Sequence, residues 1–223
     1  MNLLDQARDA LRQALARYQD ACLTCSFQAE DMAVLHLARQ FRPDLPVLFL
    51  DTGYHFPETL AYRDRMAGEW GLQLVNLRAR ISVAEQEVGF GLLYRTDPNR
   101  CCRMRKVEPL LEGLEPYRLW ITGLRREQSP TRAALEIEET HRLPSGRPIV
   151  KLNPLAFWTW RDVLAYCTAN DIPLLPLYEQ GYASIGCQPC TAKPADPDNP
   201  RSGRWGGAKL ECGIHTFDRE THP

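Results

Sequence analysis

The hydrophobic pattern changes along the chain from helical spacing to short continuous runs. Near the start, apolar residues such as Leu4, Leu11 and Leu15 recur on a three-to-four-residue period, with Asp5 and Asp9 between them. An α-helix places residues at this spacing on one face, so the first twenty residues predict an amphipathic helix. A signal peptide needs a continuous apolar run after basic residues, and this segment has none.

Further along, short apolar runs alternate with segments long enough to form helices. Residues 30–41 have helical periodicity, and residues 57–71 do too, with Gly71 as the expected helix end. Strand-like runs separated by helices are typical of βαβ units and a buried parallel sheet. The runs are ACLTCSF (21–27), PVLFLDT (46–52), LQLVNLR (72–78) and RLWITGL (118–124).

The second half of the chain extends this domain before its composition changes. Residues 136–155 predict two short strands around a Pro-Ser-Gly turn, and Thr159 with Asp162 predicts a helix cap. From about Lys193 the chain is dense in Pro, Gly, Asp and Arg, which cannot build a core. We therefore predict an α/β domain with a doubly wound, mostly parallel sheet over residues 1–192, and a mobile C-terminal segment over 193–223.

Composition and charge are those of an ordinary globular protein. The 223 residues are 44% hydrophobic and 25% charged, with a formal net charge of -1, unlike a strongly basic nucleic-acid binder. No apolar stretch approaches the roughly 20 residues needed to cross a bilayer. We expect a cytoplasmic protein that binds neither nucleic acid nor membrane, and a homo-oligomer is left open.

The eight cysteines divide by their sequence context. In a reducing compartment they serve metal binding, catalysis or packing rather than stable disulfides. Cys22, Cys25 and Cys167 stand in apolar strand-like or helix-like segments, where they are expected to pack in the core. Five cysteines remain to be explained, namely Cys101, Cys102, Cys187, Cys190 and Cys212.

Four of these cysteines form two close pairs, the adjacent Cys101 and Cys102 and the Cys187-x-x-Cys190 pair. Four thiolates are enough for a zinc ion or an iron-sulfur cluster. Adjacent cysteines fit one tetrahedral ion poorly, whereas the several irons of a cluster each need their own thiolate. The residues favour a cluster and leave zinc, or a purely structural cysteine pair, open.

Polar loops follow three of the strand-like runs, with the sequences SFQAED (26–31), LDTGYHFPET (50–59) and TGLRREQS (122–129). The carboxyl ends of parallel strands meet at one edge, where helix N-termini present free N–H groups to anions. Arg125 and Arg126 offer planar donors to phosphate or sulfate there. Glu30, Asp31 and the lack of a Walker lysine or double glycine favour a small anion over a triphosphate.

Four further candidate residues have ordinary alternatives on sequence alone. Lys106 would share a helix face with Cys102 if residues 103–111 are helical, but it also fits a solvated surface lysine. Cys212 lies three residues before His215 and would be a nucleophile if nearby cations lowered its pKa, or else an inert surface thiol. Arg201 and Arg204 would ordinarily be solvated charges.

With these motifs the chain resembles the adenylyl-sulfate (APS) and phosphoadenylyl-sulfate (PAPS) reductases, over nearly its entire length. That resemblance implies an adenine nucleotide alpha hydrolase-like fold related to the PP-loop pyrophosphatases. The cysteine pairs resemble those of the branch with a 4Fe-4S cluster, the APS type. The motifs that carry the resemblance are SFQAED, LDTGYHFPET, TGLRREQS, GYASIGCQPCT and ECGIH.

The resemblance also implies roles for individual residues. ECGIH corresponds to the catalytic-cysteine motif, which makes Cys212 the nucleophile, and Lys106 is expected between cluster and substrate. The implied cluster ligands are Cys101, Cys102, Cys187 and Cys190. The implied substrate-binding residues are Ser26, Phe27, Gln28, Leu50, Asp51, Thr52, Gly53, Lys106, Arg125, Arg201, Arg204 and His215.

The implied reaction is the reduction of APS to sulfite and AMP in sulfate assimilation. It would pass through an S-sulfocysteine on Cys212, with thioredoxin or a glutaredoxin-like dithiol as the reductant. Residues 193–223 would close over the substrate as a lid. Three alternatives stay open: PAPS as substrate, an ATP-dependent RNA thiolation enzyme, and a non-enzymatic, zinc-stabilised nucleotide-binding protein.

Overall fold

Six strands form one sheet in the part of the chain that the structure describes. This computed structural model describes residues 2–196, 199–207, 209 and 211–215. The strands lie in the order β3-β2-β1-β4-β6-β5, and all pairings are parallel except that of β5 with β6. Their bounds are β1 Ala21–Thr24, β2 Pro46–Asp51, β3 Gln73–Arg78, β4 Leu119–Ile121, β5 Glu138–Arg142 and β6 Pro148–Leu152. The predicted α/β class and the mostly parallel sheet are confirmed.

Helices connect the parallel strands as the sequence pattern predicts. A π-helical turn, Arg103–Val107, interrupts the helical stretch between the sixth and seventh helices. The helices are α1 Leu3–Arg17, α2 Ala29–Arg39, α3 Pro57–Trp70, α4 Val83–Phe90, α5 Leu93–Thr96, α6 Pro98–Cys102, α7 Glu108–Leu114 and α8 Trp160–Ala169. None of the described helices is both long and apolar enough to cross a membrane.

Local sequence signals set several helix ends. Gly71 follows α3 with φ 59° and ψ 45°, the left-handed conformation that glycine adopts without steric cost. Thr159 and Asp162 form the predicted capping box at the start of α8. Residues 103–107 are helical as expected, but their π-turn means that Cys102 and Lys106 are not related by regular α-helical spacing.

The central strands β1 and β4 are buried on both faces, because helices cover each side, whereas the edge strands β3 and β5 keep exposed positions. Leu23 packs with α1, α2 and α8, whereas its neighbour Cys22 packs with Trp120 and α7 on the other side. Cys22, Cys25 and Cys167 are all buried, which confirms their predicted packing role. Strand residues that alternate between two buried faces explain the continuous apolar runs in the sequence.

Close backbone packing brings the first and third polar loops together. Gly123 follows β4, and a Cβ on it would overlap the Asp31 carboxylate and crowd the backbone of Asp31 at the start of α2. Residue 123 therefore has to be glycine for the two loops to meet at the carboxyl edge of the sheet.

The start of the predicted C-terminal segment is attached to the domain. Thr191 and Arg204 form an isolated antiparallel bridge. Residues 197–198, 208, 210 and 216–223 of that segment lie outside the described residues. The division of the chain at residue 192 and the mobility of the segment stay predictions.

Candidate active site

A cavity of about 750 Å³ opens at the carboxyl edge of the sheet. Side chains from all three polar loops and from the C-terminal segment line it, and Cys212 is among them. Nine predicted substrate-binding residues line the cavity, namely Ser26, Gln28, Leu50, Thr52, Lys106, Arg125, Arg201, Arg204 and His215. The topology therefore brings most of the predicted site together, as parallel strands place their carboxyl ends at one edge.

The first loop is organised by Asp31. Its Oδ2 accepts hydrogen bonds from the backbone N and the hydroxyl of Ser26, both at 2.6 Å. Burial raises the pKa of the Asp31 carboxyl to about 6, although the bonds from Ser26 oppose the rise. Gln28 links this loop to the second cysteine pair, because its Oε1 accepts a hydrogen bond from Ile185 N at 2.9 Å.

Arg125 is engaged with carboxylates within the protein. Its side chain is 5% exposed and pairs with Glu30 at 2.8 Å and with Glu127 at 2.7 Å. Glu30 therefore has a compensating charge, which weakens the predicted repulsion of phosphates by this loop. Contrary to expectation, Arg126 does not line the cavity. It pairs with Glu136, and its guanidinium stacks over Phe157.

Three of the predicted substrate-binding residues are not among the lining residues. Phe27 packs in the core against Phe49, with φ 61°, a backbone angle that is rare outside glycine. Asp51 accepts hydrogen bonds from Arg78 at 2.9 Å and from the Gly53 N–H at 3.3 Å. Substrate contacts by Phe27, Asp51 and Gly53 stay predictions.

The four paired cysteines line one small cavity next to the large one. Its volume is about 10 Å³, and Arg105 and Lys106 also line it. Cys187 donates a hydrogen bond to Thr52 Oγ1 at 3.3 Å. The four residues are Cys101, Cys102, Cys187 and Cys190, and all are free thiols.

The four thiols line the same small cavity, but they are not arranged as a metal site. Among the described residues, no group of three or more His, Cys, Asp or Glu side chains has the arrangement to hold a metal ion. The chemistry of the donor set nevertheless fits a cluster, because four thiolates on two short segments can each take a separate iron. Basic side chains beside them, Arg105 and Lys106, would balance the negative charge of a thiolate-bound group.

Lys106 lines both cavities, and its surroundings keep it charged. Burial lowers the pKa of Lys106, but nearby Cys187, Cys212 and Cys102 raise it further, so the net shift is upward. Lys106 therefore lies between the cysteine cavity and the large cavity, and its predicted place between cluster and substrate stays a prediction.

Cys212 has the electrostatics of an activated thiol. Burial and the neighbouring Glu211 carboxylate raise its pKa, but Lys106, a hydrogen bond from the Ile214 backbone and Arg204 lower it by more, so the pKa lies below the ordinary value. A thiol with a lowered pKa is ionised to a larger extent at neutral pH, and the thiolate is the nucleophilic form.

Arg204 and His215 line the cavity with Cys212, and each has a buried polar atom that lacks a hydrogen-bond partner within the described part of the chain. These atoms are Nε of Arg204 and Nδ1 of His215. Burial lowers the pKa of His215 well below its ordinary value, so its imidazole is neutral. Buried polar groups without partners are rare in proteins, and at a cavity they indicate where a polar ligand binds.

Sequence reasoning missed Trp120, Arg132 and Glu211. The Trp120 ring stacks on His215, with centroids 5.4 Å apart and planes at 16°. Its Nε1 donates to Thr24 Oγ1 at 2.8 Å, which fixes the ring. The one sequence signal for Trp120 was its place in the apolar run before the third polar loop. An aromatic residue in a buried strand has the same pattern.

Comparisons with known proteins match this chain to one family. Residues 20–193 match the phosphoadenosine phosphosulfate reductase domain. A Rhodococcus erythropolis protein named adenosine 5'-phosphosulfate reductase is 49% identical over 83% of this chain and 75% of its own length. A Mycobacterium tuberculosis protein with the same name is 46% identical over 86% of this chain and 77% of its own length.

Solved structures agree with the sequence matches. The crystal structure of PAPS reductase from Candida auris, a phosphate complex, aligns with a TM-score of 0.72 at 26% identity, covering 84% of this chain and 90% of that one. The curated relatives are named as reductases and so are oxidoreductases. The chain thus belongs to the APS and PAPS reductase family, among relatives named adenosine 5'-phosphosulfate reductase.

Proposed function

We propose that this enzyme reduces APS to sulfite and AMP in assimilatory sulfate reduction. The observation that carries the proposal is the Cys212 thiol, with its lowered pKa, beside the partnerless buried atoms of Arg204 and His215. A phosphosulfate group would supply oxygen acceptors to those atoms and an electrophilic sulfur to the thiol. The names of the 46–49% identical relatives support APS as the substrate.

In the first step the Cys212 thiolate attacks the sulfur of APS. A sulfur–sulfur bond forms, the bond from sulfur to the bridging phosphate oxygen breaks, and AMP leaves with that electron pair. Lys106 and Arg204 balance the charge that grows on the leaving phosphate. His215, being neutral, can donate one hydrogen bond to an oxygen without adding charge. The enzyme is left as an S-sulfocysteine.

Release of sulfite needs two electrons from outside this chain. Cys22, Cys25 and Cys167 are buried in the core, and the other four cysteines are the proposed cluster ligands. An external dithiol of the thioredoxin or glutaredoxin type therefore attacks Cys212 Sγ, expels sulfite and ends as a disulfide through its second thiol. Free thiols throughout the described chain are consistent with a reducing, cytoplasmic setting.

We further propose that Cys101, Cys102, Cys187 and Cys190 hold a 4Fe-4S cluster. When bound, the cluster would supply a structural cross-link and a local charge. Lys106 lines both cavities, so its side chain would lie between the charge of the cluster and the substrate. The residues proposed to hold the substrate are the nine predicted residues that line the cavity, together with Phe27, Asp51 and Gly53.

The proposal is tested by supplying APS without any reductant. One AMP per active site and the mass of one sulfonate group on Cys212 are expected, because the attack itself needs no electrons. Sulfite should appear only after a dithiol protein is added. Sulfite formed in a single turnover without external thiol would contradict the S-sulfocysteine mechanism.

The same assay separates the alternatives. With a dithiol reductant present, kcat/KM should be larger for APS than for PAPS, since discrimination is a ratio of transition-state stabilisation. A preference for PAPS would overturn the substrate assignment. ATP consumption would instead point to RNA thiolation, and zinc in place of iron and sulfide would contradict the cluster.

A further inference from the structure

Glu211, the residue before Cys212, is held by a two-pronged ion pair from another part of the fold. Arg132 donates from Nε to Glu211 Oε1 at 2.9 Å and from Nη2 to Oε2 at 2.8 Å. Thr131 Oγ1 adds a third donor to Oε1 at 3.0 Å. Both charged side chains are largely buried, at 12% and 13% exposed.

This pair continues into the first polar loop. Arg132 Nη1 donates to Gln128 Oε1, and Gln128 Nε2 donates to Glu30 Oε1 at 3.0 Å. Glu30 lies in the first turn of α2, next to the loop Ser26–Gln28. A continuous chain of hydrogen bonds therefore runs from Glu30, near the end of the first polar loop, to Glu211, the residue before Cys212.

Residues 211–215 are held by side-chain contacts rather than by regular secondary structure. The structure assigns them neither helix nor strand, so no regular backbone ladder fixes Cys212. Other nearby contacts include the stacking of His215 on Trp120, the packing of Ile214 against the core cluster around Trp120, and a longer approach of Arg201 to Glu211 at 3.7 Å. A bidentate arginine–carboxylate pair fixes both distance and orientation, which a single point charge does not.

We propose that the pair of Arg132 and Glu211, called here the latch, positions the Cys212 thiol for its attack on the substrate. Arg132 and Glu211 are positioning residues in this proposal and touch no reacting atom. The proposal rests on the proposed function in one respect, namely that Cys212 is the nucleophile. A misplacement of about 1 Å at the thiol is enough to slow the chemical step greatly.

The test compares Arg132→Gln, Glu211→Gln, the double variant and Arg132→Lys with the wild-type holoenzyme. The matched control is Arg126→Gln, which breaks an exposed arginine–glutamate pair on the same segment, away from the cavity. Three quantities are measured: the single-turnover rate of AMP release at saturating APS, the dissociation constant of APS, and the rate of Cys212 alkylation by iodoacetamide. Alkylation is run at about pH 9.5, where an ordinary thiol is ionised, so that it reports exposure.

Each single glutamine variant should slow AMP release by about tenfold or more and speed alkylation of Cys212, while APS binding changes by less than about threefold. The double variant should be no slower than either single variant, because both remove the same interaction. Arg132→Lys, which keeps the charge but not the fork, should fall in between. Arg126→Gln should resemble the wild type.

Three results would overturn the latch. Weaker APS binding with an unchanged rate of AMP release would make Arg132 a substrate ligand. Additive effects in the double variant would show that the two residues act separately. If Arg126→Gln changed AMP release and alkylation as much as the latch variants do, the effects would reflect general loosening of the segment and not the latch. If wild-type protein released no AMP from APS, the proposed function would fail, while the alkylation rates would still report on the latch.

Discussion

The guanidinium of Arg204 lies directly against the backbone of Gly186, where any side chain on residue 186 would overlap it. Gly186 immediately precedes Cys187, so the second cysteine pair and the C-terminal segment meet at this contact. Arg204 is buried there, with its Nη1 3.4 Å from Ser184 Oγ. The glycine thus provides the space for an arginine that lines the large cavity.

We expect Gly186→Ala to displace the Arg204 guanidinium and to raise KM for APS by about tenfold or more, because a charged contact to the substrate is lost. Iron content should stay unchanged, since both neighbouring cysteines remain. Gly68→Ala is the control, as a Cβ at Gly68 in α3 meets nothing within 4 Å. Wild-type kinetics in Gly186→Ala would remove Arg204 from the substrate site.

Cys212→Ser should bind APS and retain iron, yet release no AMP, because the hydroxyl is ionised far less than the thiol at neutral pH. AMP release from APS, measured by chromatography, provides the test. Cys167→Ala, which removes a buried core thiol, is the control and should keep AMP release. Any sulfite formed by Cys212→Ser at the wild-type rate would assign the nucleophile elsewhere.

Serine in place of any one of the four paired cysteines should remove iron, sulfide and activity together, since each change deletes one thiolate ligand. Iron and acid-labile sulfide are measured on anaerobically purified protein, alongside its absorption spectrum. Cys22→Ala, on the buried face next to Trp120, should keep its iron. Full iron content in a variant would take that cysteine out of the ligand set.

Glu139 in β5 should make stability depend on acid pH. Burial raises its pKa, but His141, Lys151 and Asn153 lower it further, to about 2. A carboxyl with a lowered folded-state pKa stabilises the fold above its ordinary pKa, and this contribution is lost as pH falls from about 4.5 towards 2.

The free energy of unfolding in urea, measured for wild type and Glu139→Gln, checks this sign. The wild-type advantage should be full at pH 6 and shrink steadily at about pH 4 and below. Lys151 is 2% exposed and lies 3.6 Å from Glu139, so the variant also leaves a buried ammonium without this partner. A difference that stays constant across this pH range would contradict the assigned pKa.

Local sequence signals were sufficient for much of the fold. Continuous apolar runs predicted the central parallel strands, because a strand buried on both faces has no polar side. Gly71 and the Thr159–Asp162 pair predicted helix ends, because left-handed backbone and capping bonds depend on neighbouring residues alone. Polar loops after those strands predicted the edge at which the cavity lies, since parallel strands end together.

Other predictions failed or were incomplete because they depend on partners distant in sequence. Arg125 is an anion donor by type, and its pairing with Glu30, 95 residues away, could not be read from the sequence. Arg126 has a similar sequence context and faces away from the cavity. Asp31 is a charged residue by composition, yet burial raises its pKa to about 6. Burial and pairing of this kind are properties of the packed state.

The sequence by itself determined the order of strands and helices along the chain, the separation of the three core cysteines from the other five, and the family to which the chain belongs. Those features depend on side-chain type and on spacing of a few residues. Only the tertiary structure decided that Glu211 meets Arg132 across 79 residues, that His215 stacks on Trp120, and that Arg204 fits over Gly186. Contacts over such distances arise only when folding closes the chain between them, and no local pattern encodes which pairs will meet.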